Sequence, residues 1–429
     1  MKSNLKVLSV AAIGVSILAG CGNGSSGNET TGGSTGGASA DGRVNLTIAT
    51  WANETEAREF DEIIEQLNNS QDVYHLSQEM IPANFYTVLQ TMIAGRQAPD
   101  LFWLAQEYIP AYATNGAIVN LDDFLAAQSQ IDMSDFLDGA LNTARYRGSI
   151  YGLPWIGQPF VIYYNRDMFA AAGLEEPSLD WTWAEFPEIA RRLTDVDNEV
   201  WGFASAGAPP MATFAWGEGG EIVSVDGEVL IDTPETLRGL HLADSIINSD
   251  FTVPNQYIQS MGIEQAFVQG LTAMFVGGAN DGVERAVEAA GSPFEVGMAL
   301  VPAGSVEQVT FNWTASTVIS TQTDHEEAAK QALLDLTEAM FEWKVPAPVA
   351  SKLPNIGYIN PDKAYAVDVI LRAAELSRGF NNMPQQNELG TIQWEELDNL
   401  IITNDHGRGV DVDAQARIVA DRFREIIEQ

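Results

Sequence analysis

Four tryptophans stand beside small polar residues in loops rather than in helical stripes. Trp51 precedes Asn53 and Glu54, Trp155 follows "YGLP", Trp216 sits in "FAWGEGG", and Trp313 in "FNWTAS". An indole ring offers a flat apolar face, while a neighbouring amide or carboxylate can satisfy hydroxyl groups. That combination suits a ligand with apolar C–H faces and many hydroxyls, which is the chemistry of a sugar. The alternative for any tryptophan is packing. Trp181, Trp183, Trp201 and Trp343 lie beside or within expected helices and strands and are assigned to it.

Catalytic chemistry leaves a fainter trace. None of the four histidines, His75, His241, His325 and His406, stands three or four residues from another, and none falls in a metal-ligand pattern. There is no G-x-S-x-G elbow, P-loop or dinucleotide fingerprint. With 59 acidic residues, neighbours such as Asp122/Asp123 and Glu395/Glu396 are unavoidable. A glycosidase pair needs two particular carboxyls roughly 5–10 Å apart, which spacing along a chain does not reveal. The reading is a binding protein without cofactor or metal. A secreted carbohydrate-active hydrolase or lyase is the rival.

The elements that must position these side chains alternate. "RVNLTIATW" has the two-residue period of a strand ending at Trp51, and "NETEAREFDEIIEQLNN" follows with Phe60, Ile63, Ile64 and Leu67 at helical spacing. Acidic residues crowd its first turns, where they complement the helix dipole. A helix and a short apolar strand, Leu101 to Leu104, come next, and another helix with a polar turn is expected over "AYATNGAIVNLDDFL". A hairpin-like turn at "GSIYG" precedes an apolar strand from Phe160 to Tyr164, and Thr182 is a candidate N-cap with Glu185 three residues on. An Asp-Gly turn in "GEIVSVDGEVLID", a helix running into a strand in "GIEQAFVQGLTAMFVGG", and helices over "HEEAAKQALLDLTEAMFEW" and Ala414–Ile427 complete an α/β pattern. Ligands of such sheets bind beyond the carboxyl ends of the strands.

Net charge is −37, which argues against nucleic acid as a partner and fits an exposed extracellular protein. The single cysteine, Cys21, follows Lys2, Lys6 and an apolar run from Val7 to Leu18 that is too short to span a bilayer. Leu18-Ala19-Gly20-Cys21 resembles a bacterial lipobox, whose cysteine is acylated. Between Gly22 and Gly42 lie eight Gly, four Ser and three Thr, a flexible tether reaching roughly 25 Å. The expectation is a signal peptide over 1–20, a lipidated tether over 21–42, and a body held at the outer face of the cell membrane by lipid.

Taken in order, the segments "LTIATW", "YTVLQTMIAGRQAPDLFWL", "YGLPWIGQPFVIYYNRDMFAAAGL", "PSLDWTWAEF", "WGEGGEIVSVDGEVLID" and "FVQGLTAMFVGG" resemble the extracellular solute-binding protein family 1, the carbohydrate-capturing subunits of ABC importers related to maltose-binding protein. The resemblance implies a two-lobed, periplasmic-binding-protein-like α/β fold, each lobe a sheet flanked by helices, joined by a hinge. It places lobe I at 43–152 and 300–345 and lobe II at 153–299 and 346–429. A sugar or short oligosaccharide would bind between the lobes, and the monomeric receptor would pass it to the permease. Position by position, the resemblance makes Asp100 a carboxylate for sugar hydroxyls, with a loop cap as the alternative, and Gln158 a polar group near the hinge. It puts an aromatic at Trp313, and Asn280 where the family often has a stacking tryptophan. Tyr86 and Trp103 are further candidates, and Tyr86 could instead pack its own helix. The same fold with a polyamine or peptide ligand is a second rival.

Overall fold

The computed structural model describes residues 42–428 apart from 208, 292–293, 345 and 404–408. Cys21, the expected signal peptide and all but the last residue of the expected tether lie outside the described residues.

The body opens with β1 (Val44–Thr50), α1 (Glu54–Ser70) and β2 (Tyr74–Met80). α1 starts where it does because Asn53 closes a capping box. Its side chain accepts the Thr55 and Glu56 amides, and Glu56 reaches back to the Asn53 amide. Ala57, Phe60 and Ile64 turn its apolar face onto the sheet. Burying a side chain such as Phe60 stabilises by about 1.5–3 kcal/mol.

Helix α2 (Phe85–Ala94) leads to β3 (Leu101–Ala105), a wholly buried strand parallel to β1. The segment over 111–125, expected as a helix with a polar turn, holds parts of two short helices, Ile109–Thr114 and Asp122–Ala127. Gly116, at φ +64°, turns the chain between them.

The hairpin of β4 (Arg145–Tyr146) and β5 (Ser149–Ile150) turns through Arg147 and Gly148, both at positive φ, as a tight two-residue turn requires. The strand expected over 160–164 is longer: β6 runs from Leu153 to Asn165. It pairs antiparallel with β7 (Met274–Gly278) and β8 (Val296–Ala299) near its end, and with β9 (Thr310–Ile319) near its start. The sheet reads β2-β1-β3-β9-β6-β7, with β8 also on β6 and the two-residue β10 (Ser377–Arg378) on β9. Near Thr182 the helix begins only at Phe186. Thr182 and Glu185 instead close the preceding turn through the Glu185 carboxylate.

The fold has two lobes, and β6 and β9 run through both. Leu153, Trp155 and Ile156 of β6 and Ala315 and Ile319 of β9 sit in a core with Leu46 and Phe60. Further along, Ile162 and Tyr164 of β6 and Phe311 of β9 pack with Phe186 and Phe214, and Val161 and Tyr163 with Phe267 and Phe275. Strands this long carry one backbone ladder from core to core, the construction of a hinge. Val301, Val309 and Phe311 pack in the core of Phe186 and Phe214, Leu300 in that of Phe267 and Phe275, and Ala347 and Val349 in that of Leu46 and Phe60.

Candidate binding cleft

Strands β1 and β3 are parallel, so their carboxyl ends emerge together at Trp51 and Gln106. Trp51 is half-buried and sits at the centre of an aromatic wall. Phe85 and Trp103 lie with ring centroids 5.3 Å away, Tyr86 at 6.2 Å and Trp313 at 6.3 Å. Tyr86 stacks on Tyr108 at 3.5 Å, and its hydroxyl accepts the Ala105 amide. Trp313 is only partly buried and packs against cores of both lobes.

Two further polar groups follow Ala105, Gln106 on the Thr314 side of the hinge strands and Glu107 beside Tyr86 and Tyr108 of the wall. Gln106 is buried and bridges the hinge, donating to the Asn312 carbonyl and accepting from Thr314 Oγ1. Glu107 is half-buried, and burial pushes its carboxyl pKa up; the donor that counters this is its own backbone N–H. Asn53 is exposed at the edge, with its amide committed to the α1 cap, and Glu54 is exposed beside it.

The facing wall belongs to the loop after β7. Gln158 stands opposite Trp313 in the β6–β9 ladder and donates to Asp281 Oδ1 at 2.8 Å. Asp281 Oδ2 accepts the Gly278 amide at 2.8 Å. A Cβ at Gly278 would fall 1.8 Å from Gln158 Nε2, so any larger residue here displaces the Gln158 side chain. Burial raises the Asp281 carboxyl, and the bonds from Gly278 and Gln158 and the charge of Lys363 offset part of that rise.

Beneath the loop Lys363 is 1 % exposed, and its ammonium donates to the Asp281 carbonyl, to both Glu284 oxygens and to Tyr163 Oη. Burial lowers its pKa and Glu284 pulls it back. Asn280 and Asp281 line a cavity of about 410 Å³ whose other side is Glu56, Glu59, Trp343 and Lys344. The cleft therefore sets an aromatic platform against amides and carboxylates. That arrangement can hold a polar, ring-bearing solute.

Four of the expected residues sit away from the cleft surface or are closed off from it. Asp100 is at the amino end of β3, about 16 Å along the strand from the cleft end. Its oxygens accept the Thr47 amide, Thr47 Oγ1 and Thr323 Oγ1, the loop-cap alternative. Trp155 is 4 % exposed, with its ring stacked on Trp343. Trp216 is fully buried; its Nε1 donates to Glu221, and Arg378 covers its ring at 4.2 Å. Trp103 is buried as well. The short polar run "QEY" after β3, at the carboxyl end of a parallel strand, was the signal for Gln106, Glu107 and Tyr108.

The described histidines do no joint work: His75 is exposed, His241 pairs with Asp413, and His325 precedes a helix. Among the described residues no three His, Cys, Asp or Glu gather as a metal site, and no helix is long and apolar enough to cross a membrane.

The model of the bacterial extracellular solute-binding protein family matches residues 82–335, more than half of the chain. A Brucella abortus protein named only as a binding protein is 24% identical over 372 residues, 84% of this chain and 87% of its own length. The diacetylchitobiose binding protein DasA of Streptomyces coelicolor is 26% identical over 200 residues, 44% of each chain. Among solved structures, the ABC substrate-binding protein Lmo0181 of Listeria monocytogenes, in complex with cycloalternan, superposes with a TM-score of 0.76 at 21% identity, covering 90% of this chain and 99% of that one. This chain belongs to the bacterial extracellular solute-binding protein family.

Proposed function

We propose that the solute is a sugar or short oligosaccharide, taken up between the lobes and delivered unchanged to an ABC permease. The observation that carries this reading is the pairing across the cleft of Trp51 and Trp313 with the Gln158–Asp281 couple. Gln158 stands opposite Trp313 in the β6–β9 ladder, so a stacking ring and a hydroxyl-binding amide share one face of the hinge strands, which supports this reading. The diacetylchitobiose-binding relative and the cycloalternan complex support the ligand class. Closure follows from contacts that exist only when both walls touch the ligand.

The chain acts as a receptor and not as an enzyme. Acylation of Cys21 holds it at the outer face of the cell membrane. The lobe division follows the cores, with 300–311 in lobe II and 347–349 in lobe I.

A thermal-shift screen against mono- and oligosaccharides, with polyamines and peptides alongside, tests the reading, since a ligand of the folded state raises Tm. A sugar that raises Tm and is recovered intact supports it. A glycan that is consumed, or a response to polyamine or peptide alone, contradicts it.

A further inference from the structure

A second cavity, of about 500 Å³, lies behind the hinge strands. One wall is lined by Asp138, Asn142, Thr143, Arg145 and Arg147, the other by Arg378, Asn381 and Asn382. Two lining residues are tied to β9: Asn312 donates to the Gly139 carbonyl, and Thr314 Oγ1 meets Thr143 Oγ1. Trp313 alternates to the opposite face, so this space is separate from the cleft described above. Asn382 ties the walls together by donating to the carbonyls of Asn142 and Arg145.

The charge of the lining is reversed. The chain as a whole carries 59 acidic and 22 basic residues, yet here Arg145, Arg147 and Arg378 stand against Asp138. Arg145 donates through Nη1 to the Gly148 carbonyl, and Asp122 feels its charge. Arg147, held at φ +51° by the tight turn, rests on the ring of its neighbour Tyr146 at 5.2 Å. Arg378 pairs with Glu221 and lies over Trp216. A guanidinium offers five N–H donors in a fork that matches a carboxylate or a phosphate.

We propose that this cavity binds a small oxyanion, a carboxylate or phosphate, between Arg145 and Arg147 of the first lobe and Arg378 of the second. Because its walls belong to different lobes, the bound anion biases the hinge. The site does not depend on the identity of the solute in the cleft.

Calorimetric titration of the protein with inorganic phosphate and, separately, with glucuronate tests it. At about 0.15 M NaCl the Debye length is roughly 8 Å, so distant carboxylates are screened while the local arginines still act. The expected result is a Kd of about 0.1–1 mM for one of the two, weakened about tenfold or more by Arg145→Gln with Arg147→Gln. Both side chains are outside the cores, and circular dichroism of the double variant checks that the fold is kept. A response to phosphate alone assigns the site to phosphate, and to glucuronate alone to carboxylates. No heat from either anion, or equal affinity in the double variant, overturns the proposal.

Discussion

The two walls of the cleft are held in place by opposite means. The first-lobe wall is built from rings, Trp51, Tyr86, Tyr108 and Trp313, each positioned by packing against other rings. The second-lobe wall is a short loop, and what positions it is a chain of polar bonds: Lys363 to Glu284 and the Asp281 carbonyl, Asp281 to Gln158 and Gly278. Packing tolerates the loss of one contact because many small ones remain. A buried charge network does not, since removing one partner strands the other. The first wall should therefore fail gradually and the second abruptly.

The largest effect is expected at Lys363. Lys363→Met leaves Glu284 without its buried partner and should cost about 3–5 kcal/mol of stability in urea denaturation. A loss under about 1 kcal/mol would mean that the loop is held by something other than this charge. Trp313→Ala should weaken sugar binding by about 1–3 kcal/mol, while Trp216→Phe leaves affinity unchanged because that ring is buried.

Gly278→Ala forces Gln158 out of its place and should cost about 1–3 kcal/mol of stability, with affinity falling alongside. Asp100→Ala should lower stability by about 0.5–2 kcal/mol and leave affinity as it was, since its bonds go to Thr47 of β1 and to Thr323, away from the carboxyl ends of the strands. If affinity fell with it, the placement of the cleft at the carboxyl ends of the strands would be wrong.

The smallest effect is a pH slope. The Asp281 carboxyl is raised in the folded state, so below its unfolded pKa both states are protonated and it contributes nothing. As pH rises from about 4, the unfolded chain ionises first and stability falls until the folded carboxyl ionises too. Asp281→Asn should flatten that part of the stability profile. An unchanged slope would remove Asp281 from the set of strained groups.

Much of this was legible in the chain. Period-two and helical spacing located β1 and α1, a short apolar run located β3, and the acidic residues of the first turn marked where α1 begins, while its Asn53 capping box came only with the structure. The ordered motifs, more than any single one, carried the two-lobed fold. What spacing could not tell was which tryptophans keep a face open. Trp155 and Trp216 have the same loop-like neighbours as Trp51 and Trp313, but Trp343, Arg378 and Phe311 come from far along the chain to cover them. Asp100 misled for a related reason: a strand has two ends, and only its direction in the sheet tells which one faces the ligand. Lys363 was invisible because its role depends on a loop 82 residues away.

The central claim is that one carbohydrate is held jointly by the ring wall and the polar loop. A calorimetric double-mutant cycle between Trp313→Ala and Asp281→Ala, with the sugar that raises Tm most, tests this directly. Each single variant should weaken binding about tenfold or more, with Asp100→Ala alongside at wild-type affinity. Wild-type affinity in both single variants would contradict the claim and move the binding site away from this cleft.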